Sequence, residues 1–344
     1  MLAMEASNES ERRRRSFPRT TWLGLCVVLV TLFACLGTLP FTLARAPVGA
    51  ETPAGGAAIE PRRFEATAPE EALLPPFWAA HTAGEAERRD RAIEAGAGRH
   101  VLGTDLLGRD LLLRCLTGGG ISLAIGLSAA TIAVLIGTLY GSLAGYFGGR
   151  TDSIMMRAVD ILYGLPNILL VVLLAVAVDG LISRVGADLA PGARQLINVL
   201  TLLVAIGGVT WLTMARVIRG QVLSLKAQPF MEACRATGVP LRRQFTHHLL
   251  PNLLGPIVVY ATLTVPAAIL SESFLSFLGI GVREPLPSWG NLAAAGLSEL
   301  NVVRSRWWLL FWPCLFIALT LLALNFVGEG LREALDPKRQ TNRA

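Results

Sequence analysis

Lysine is almost missing from this chain, and charge of either sign is scarce. Lys226, after Leu225, and Lys338, after Pro337, are its two lysines. A nucleotide-binding P-loop needs Gly-Lys-[Ser/Thr] behind a glycine-rich turn, so the chain does not hydrolyse ATP by that route, and any ATP-driven work falls to a partner. The four histidines, His81, His100, His247 and His248, form no His-Glu-x-x-His, and there is no Cys-x-x-Cys and no Ser/His/Asp set. Adjacent His247 and His248 would point about 100° apart on a helix, a poor geometry for shared ligation. No catalytic, metal or cofactor-binding residue is therefore expected. The five cysteines suggest no disulfide framework. Cys26, Cys35 and Cys314 fall in apolar runs, Cys115 is expected near one membrane surface and Cys234 near the other, each a small hydrophobe by default.

Of 344 residues, 16% are charged and 53% hydrophobic, against about 25% charged in a soluble domain. That composition excludes disorder, a collagen and a disulfide miniprotein. The charge that remains is concentrated, because six runs contain no Asp, Glu, Lys or Arg: 20–44, 121–149, 161–178, 195–215, 244–271 and 307–328. Runs of about 18 or more apolar residues are candidate membrane spans, and in lipid they must be helical, because an unpaired backbone amide is costly there. The expected fold is an all-α membrane protein of six transmembrane helices.

The net charge of +6 and pI near 9.4 would suit nucleic acid, but the positions of the charges argue against it. With the N-terminus inside, 17 of the 31 Lys+Arg are inside: Arg12 to Arg15, Arg19, Arg150, Arg157, Arg216, Arg219, Lys226, Arg235, Arg242, Arg243, Arg332, Lys338, Arg339 and Arg343. Nine of the other 14 lie in the long first outside segment, which crosses largely regardless of charge. Over short loops the ratio is 17 to 5, which predicts that both termini are cytoplasmic. Ala44-Arg45-Ala46 offers a small-x-small cleavage site, but the preceding uncharged run is longer than a signal-peptide core, which favours a retained anchor.

The chain divides into a basic tail meeting lipid headgroups (1–19), a first span (20–44), an outside loop (45–120), a five-helix core (121–328) holding a cytoplasmic loop (225–250), and a second tail (329–344). Prolines punctuate the outside loop, Gly84 to Ala97 could form a short surface helix, and no internal repeat is evident. The cytoplasmic loop is the most informative segment. Pro229 suits a first helical position, Glu232 complements the positive end, and Gly238 suits the left-handed position beyond the last turn. A second turn should run from Pro240 to Leu250, with Pro251 opening the fifth span. Phe230, Ala233 and Cys234 would share one side, an apolar surface among basic residues suited to docking a protein. Among ionisable residues near the spans, Asp160, Asp179 and Glu272 fall at span ends. Ser271 to Gly281 around Glu272 suits a re-entrant or outer-edge segment.

Glu232-Ala233-Cys234-Arg235-Ala236-x-Gly238, followed by Leu249-Leu250-Pro251-Asn252, resembles the EAA loop of bacterial ABC importer permeases. The wider sequence is similar to the dipeptide/oligopeptide branch, in the subunit type with a long first outside loop. The supporting segments are His100-x-x-Gly103-Thr104-Asp105-x-x-Gly108-Arg109-Asp110, Ser122-Leu123-x-x-Gly126, Ala144-Gly145-Tyr146-x-Gly148-Gly149 and Arg216-x-x-Arg219-Gly220-Gln221-Val222-Leu223. Leu275-Ser276-Phe277-Leu278-Gly279-x-Gly281, Pro287-Ser288-Trp289-Gly290 and Gly330-Leu331-Arg332-x-Ala334-Leu335-Asp336-Pro337 follow in order. The chain departs from the family at Cys234, where Ala is usual, at Leu113, where Ser is usual, and at Gly119-Gly120, where Ala-Arg is usual. The last two departures fall on the outer side and bear on the details of the substrate-entry region.

The resemblance implies a non-catalytic, multi-pass permease of the type I importer kind in a bacterial inner membrane. It implies a second homologous permease, two cytoplasmic ATPases that bind the ATP and Mg, and an extracytoplasmic substrate-binding protein. The short helix with Leu250 and Pro251 would couple to an ATPase. Imported solutes would be peptides, or a metal chelate or other non-peptide solute. From a different class, the alternative is a self-sufficient ion-coupled carrier.

Overall fold

The computed structural model describes residues 18–45, 62–79, 82–94, 98–185, 191–300 and 305–335. Arg12 to Arg15, Ala46, His81, Arg304, Asp336, Pro337, Lys338, Arg339 and Arg343, and most of both tails, lie outside the described residues. The helices are α1 (Arg19–Thr42), α2 (Ala83–Glu94), α3 (Leu111–Phe147), α4 (Gly149–Tyr163), α5 (Asn167–Val185), α6 (Pro191–Lys226), α7 (Pro229–Ala236), α8 (Leu241–Phe277), α9 (Trp289–Ser298) and α10 (Trp307–Leu335).

Five of these, α1, α3, α6, α8 and α10, are each long and apolar enough to cross a membrane. The third charge-free run is not one straight span. Its first residues finish the amphipathic α4, the chain breaks at Gly164-Leu165-Pro166, and α5 leaves at 89°, so the pair makes a sixth crossing only as a bent unit. Pro166 explains the break, since the residue before a proline is driven out of helical geometry. At 37 residues, α3 extends about 55 Å. It begins at Leu111, well before the charge-free run from Ile121, because Asp110 caps it by accepting a hydrogen bond from the Leu113 amide at 3.1 Å.

The central seam joins α3 to α6. Gly137, Gly141 and Gly145 recur every fourth residue on α3, and a Cβ at any of them would strike Met214, Ala215 or Val222 on α6. Small residues at this spacing let two helix backbones approach closely in lipid, where the hydrophobic effect does not drive helices together. Around the seam, Ala129, Ala133, Ala144, Ala205 and Ile206 are fully buried. Helix α8 packs on α3 and α10, α1 lies against α10 and α3, and α9 sits between α8 and α10. The outer surfaces are apolar, with Val30 at 68% and Phe33 at 80% exposure on α1. Such surfaces suit acyl chains rather than water.

The unusual Gly119-Gly120 pair is internal. A Cβ on Gly119 would collide with the Trp289 ring and the Cys35 sulfur, whereas one on Gly120 would make ordinary contact with Leu39 of α1. The absence of a side chain at Gly119 thus serves packing against α1 and Trp289. Cys115, in the first turns of α3, is buried within the bundle, and its carbonyl accepts the Trp289 indole N–H at 2.9 Å.

Candidate functional site

Two sets of polar residues lie at opposite ends of the bundle, separated by the length of α3. At the C-terminal end of α3 stands α7. It starts at Pro229, after Gln228 in extended geometry, with Glu232 in its first turn. It ends as its sequence requires. The Gly238 N–H donates to the Arg235 carbonyl at 3.1 Å and the Val239 N–H to the Cys234 carbonyl at 3.0 Å. Gly238 has φ +68°, which completes a Schellman exit.

Met231 fixes α7 to the bundle. Its side chain is fully buried among Met214, Ile218 and Val222 of α6 and Leu249 and Leu253 of α8, with Tyr146 and Phe245 alongside. The sequence reading missed this anchor. Phe230, Glu232, Ala233, Arg235 and Ala236 are exposed and Cys234 is half-buried, so the side bearing Phe230, Ala233 and Cys234 is largely free. Leu250 is half-buried and Pro251 exposed. Pro251 does not open a new span, because α8 runs unbroken from Leu241 through a π-helical stretch, Gln244–Leu249. The wider turn there lets the helix pass a residue that has no N–H.

Side chains lock this end from three directions. The Tyr146 hydroxyl donates to Gln244 Oε1 at 2.8 Å, and Gln244 Nε2 donates to the Val239 carbonyl at 2.6 Å, holding the exit of α7. Lys226 Nζ caps α3 by donating to the Tyr146 carbonyl at 2.6 Å, a favoured place for a cation. On α6, Arg219 grips Asp152 with two bonds of 2.5 and 2.6 Å. One turn away, Arg216 reaches Asp160 at 2.7 Å and lies over the Tyr163 ring. The Arg216-x-x-Arg219 motif therefore clamps α4 onto α6 beside α7.

At the opposite end, the motif from His100 to Asp110 folds on itself as a cap. Asp105 accepts from the Leu107 and Arg109 amides at 2.9 Å each, from Arg109 Nε at 2.7 Å and from Arg114 Nη1 at 2.9 Å. Glu284 accepts from Arg109 and Arg114 at 3.2 Å, bringing in the loop after α8. Gly103 and Gly108 have positive φ, and a Cβ on Gly108 would strike the Ala68 carbonyl. Thr104 accepts from the Leu74 amide at 2.8 Å. His100 bridges Glu71 at 2.7 Å and Asp110 at 2.8 Å. Burial would lower its pKa, but the hydrogen bonds and charges of Asp110 and Glu71 outweigh burial and raise it to about 9. The motif residues are thus mostly satisfied by one another, as a structural cap.

Glu272 is at a span end, as expected, but water does not reach it. It lies in the last turns of α8 and is fully buried. Asp179, in the second half of α5, is half-buried and pairs with Arg283 at 2.8 Å. No group of His, Cys, Asp and Glu suited to a metal occurs among the described residues.

Among the described residues, five or six apolar helices with a small exposed helix at one end define the architecture of a multi-pass membrane protein. The chain belongs to the family described as the binding-protein-dependent transport system inner membrane component, which matches residues 115–341. It is a multi-pass inner-membrane permease subunit. Among curated relatives, the oligopeptide transport system permease protein OppC of Escherichia coli K12 is 49% identical over 70% of this chain and 72% of its own length. OppC of Haemophilus influenzae is 46% identical over 70% and 71%. The dipeptide transport system permease protein DppC of Bacillus subtilis is 44% identical over 78% and 77%. Among solved structures, the inward-facing MetNI methionine ABC transporter has a chain with the same fold, at a TM-score of 0.50 and 16% identity, covering 66% of this chain and 98% of that one.

Proposed function

We propose that this chain is the permease subunit of an ATP-driven importer of dipeptides or oligopeptides, and that α7 is the element its partner ATPases push. The peptide assignment is supported by relatives at 44–49% identity that are named as oligopeptide or dipeptide permeases. The observation that carries the coupling role is the build of α7. One side chain, Met231, is sunk into the seam of α6 and α8, while a short apolar and charged face is left in solvent.

On this reading the α7 end faces the cytoplasm, where both termini also lie, and the Asp105 cap faces outward toward a substrate-binding protein. Arg150, Arg157, Arg235, Arg242 and Arg243 are all exposed and lie in the short segments of the α7 end, where basic residues are expected on the cytoplasmic side. The full assembly contains a second, similar permease and two ATPases, which hold the ATP and Mg that this chain has no motif to bind. ATP-driven closure of the ATPases draws the two α7 helices together, and the arrangement that ATP favours gains population. The permease supplies the two-state element and no chemistry.

The test is a Glu232→Lys, Gly238→Pro double variant. Proline fixes φ near −65°, which is incompatible with the +68° at Gly238, and lysine reverses the charge at the start of α7. Membrane insertion should persist while ATPase copurification and peptide uptake are lost. Normal uptake by the double variant would sink the assignment.

A further inference from the structure

We infer that Glu272 is a positioning residue that ties the outward loop after α8 to α8 itself, so that α8 delivers the motion of α7 to the far side of the membrane. This rests on α7 being the ATPase-docking helix. Glu272 is fully buried, and among the described residues no cation pairs with it. The Ser276 hydroxyl donates to its Oε1 at 2.7 Å and the Ser273 hydroxyl to its Oε2 at 3.3 Å. Ser122 of α3 and Ser288, the cap of α9, lie close enough to interact with the same carboxyl. A buried acid is tolerated only when hydrogen bonds replace water, and in a membrane bundle such a residue points to function.

Three of these hydroxyls also accept from a backbone N–H. Ser276 Oγ takes the Val282 amide at 2.9 Å, Ser122 Oγ the Trp289 amide at 3.3 Å, and Ser288 Oγ the Asn291 amide at 3.2 Å. The carboxyl thus holds the loop after α8 through Ser276, and beside it Ser122 joins α3 to the start of α9. The fit is close, because a Cβ on Gly281 would strike Ser276 and one on Gly290 would strike the Ser273 carbonyl. The loop cannot slide along α8 without breaking the knot.

Beyond the knot, Asn291 Nδ2 holds the carbonyls of Val282 and Leu286 at 3.2 and 3.0 Å. Glu284 then reaches Arg109 and Arg114 in the Asp105 cap. Toward the other end, α8, 37 residues long, is continuous as far as the π-helical stretch on which α7 rests. A docking event at α7 and the outward cap therefore share one helix, and Glu272 is where the outward parts are fastened to it.

The experiment uses the complete complex with its binding protein in proteoliposomes, measuring peptide uptake per ATP hydrolysed. With Glu272→Ala, the ATPases should still copurify, stimulation of hydrolysis by loaded binding protein should vanish, and uptake per ATP should fall about tenfold or more. Glu272→Gln, which still accepts from Ser276 and can donate to the other hydroxyls, should restore most of the uptake. Wild-type uptake per ATP in Glu272→Ala would overturn the inference, as would a Glu272→Gln variant as inactive as the alanine. If Glu272→Ala fails to assemble, Ser276→Ala decides: reduced uptake per ATP in an intact complex supports the knot, and unchanged uptake per ATP overturns it. Failure of the wild-type complex to couple ATP to uptake would instead refute the importer reading.

Discussion

Met231 and His100 illustrate what single residues contribute at the two ends. Truncating a buried methionine to alanine costs about 2–5 kcal/mol, and Met231 is buried by two long helices while α7 itself makes few other inward contacts. Met231→Ala should release α7, seen as faster proteolysis between residues 225 and 250 together with loss of ATPase copurification. Phe230→Ala should leave the melting temperature unchanged and weaken docking by about 2 kcal/mol. The reverse pattern would mean that the free face was misassigned. The sequence pointed to Phe230 because it is the largest apolar side chain on α7. Which side of an eight-residue helix turns inward depends on where α6 and α8 stand, and local pattern does not contain that. At the other end, the sign of the pH effect follows from His100, whose pKa in the fold is about 9 against about 6.5 unfolded. Its stabilisation is complete below the unfolded value and is lost as pH rises through about 9. Melting temperature should therefore fall between pH 7 and pH 10 in the wild type and less steeply in His100→Gln. Equal slopes would contradict the bridge between Glu71 and Asp110.

At the scale of elements, helices were legible wherever composition alone decides them, and their breaks were legible only in part. The Pro229 start and Gly238 stop of α7 were readable because each imposes a backbone geometry no neighbour can override. The bend between α4 and α5 was hidden by the absence of charge, although Gly164 and Pro166 marked it. The depth of Glu272 was also hidden, because Ser122 and Ser288, which lie near it, are distant from it in sequence. The seam of α3 and α6 gives a direct test of packing. Gly141→Leu should prevent close approach and abolish the assembled permease, measured as loss of a monodisperse complex in detergent, whereas Gly220→Ala, with nothing near its Cβ, should be tolerated. Arg219→Gln removes the bidentate hold on Asp152 and should loosen α4, raising hydrogen exchange there while α3 and α6 stay protected.

For the whole molecule, the account needs α7 on one side of the membrane and the Asp105 cap on the other, with ATP used only on the α7 side. Cys234 is a natural probe of orientation, since it is half-buried on α7 while Cys35 and Cys115 are buried in the bundle. An impermeant maleimide should label it in inside-out vesicles and not in intact cells. The most direct measurement replaces Phe230 with a photo-reactive phenylalanine derivative in an uptake-competent complex and identifies what it cross-links. The account predicts a cross-link to an ATPase subunit whose yield changes between the nucleotide-free and ATP-bound states. A cross-link only to lipid or to the second permease, in a complex that still imports peptide, would contradict it.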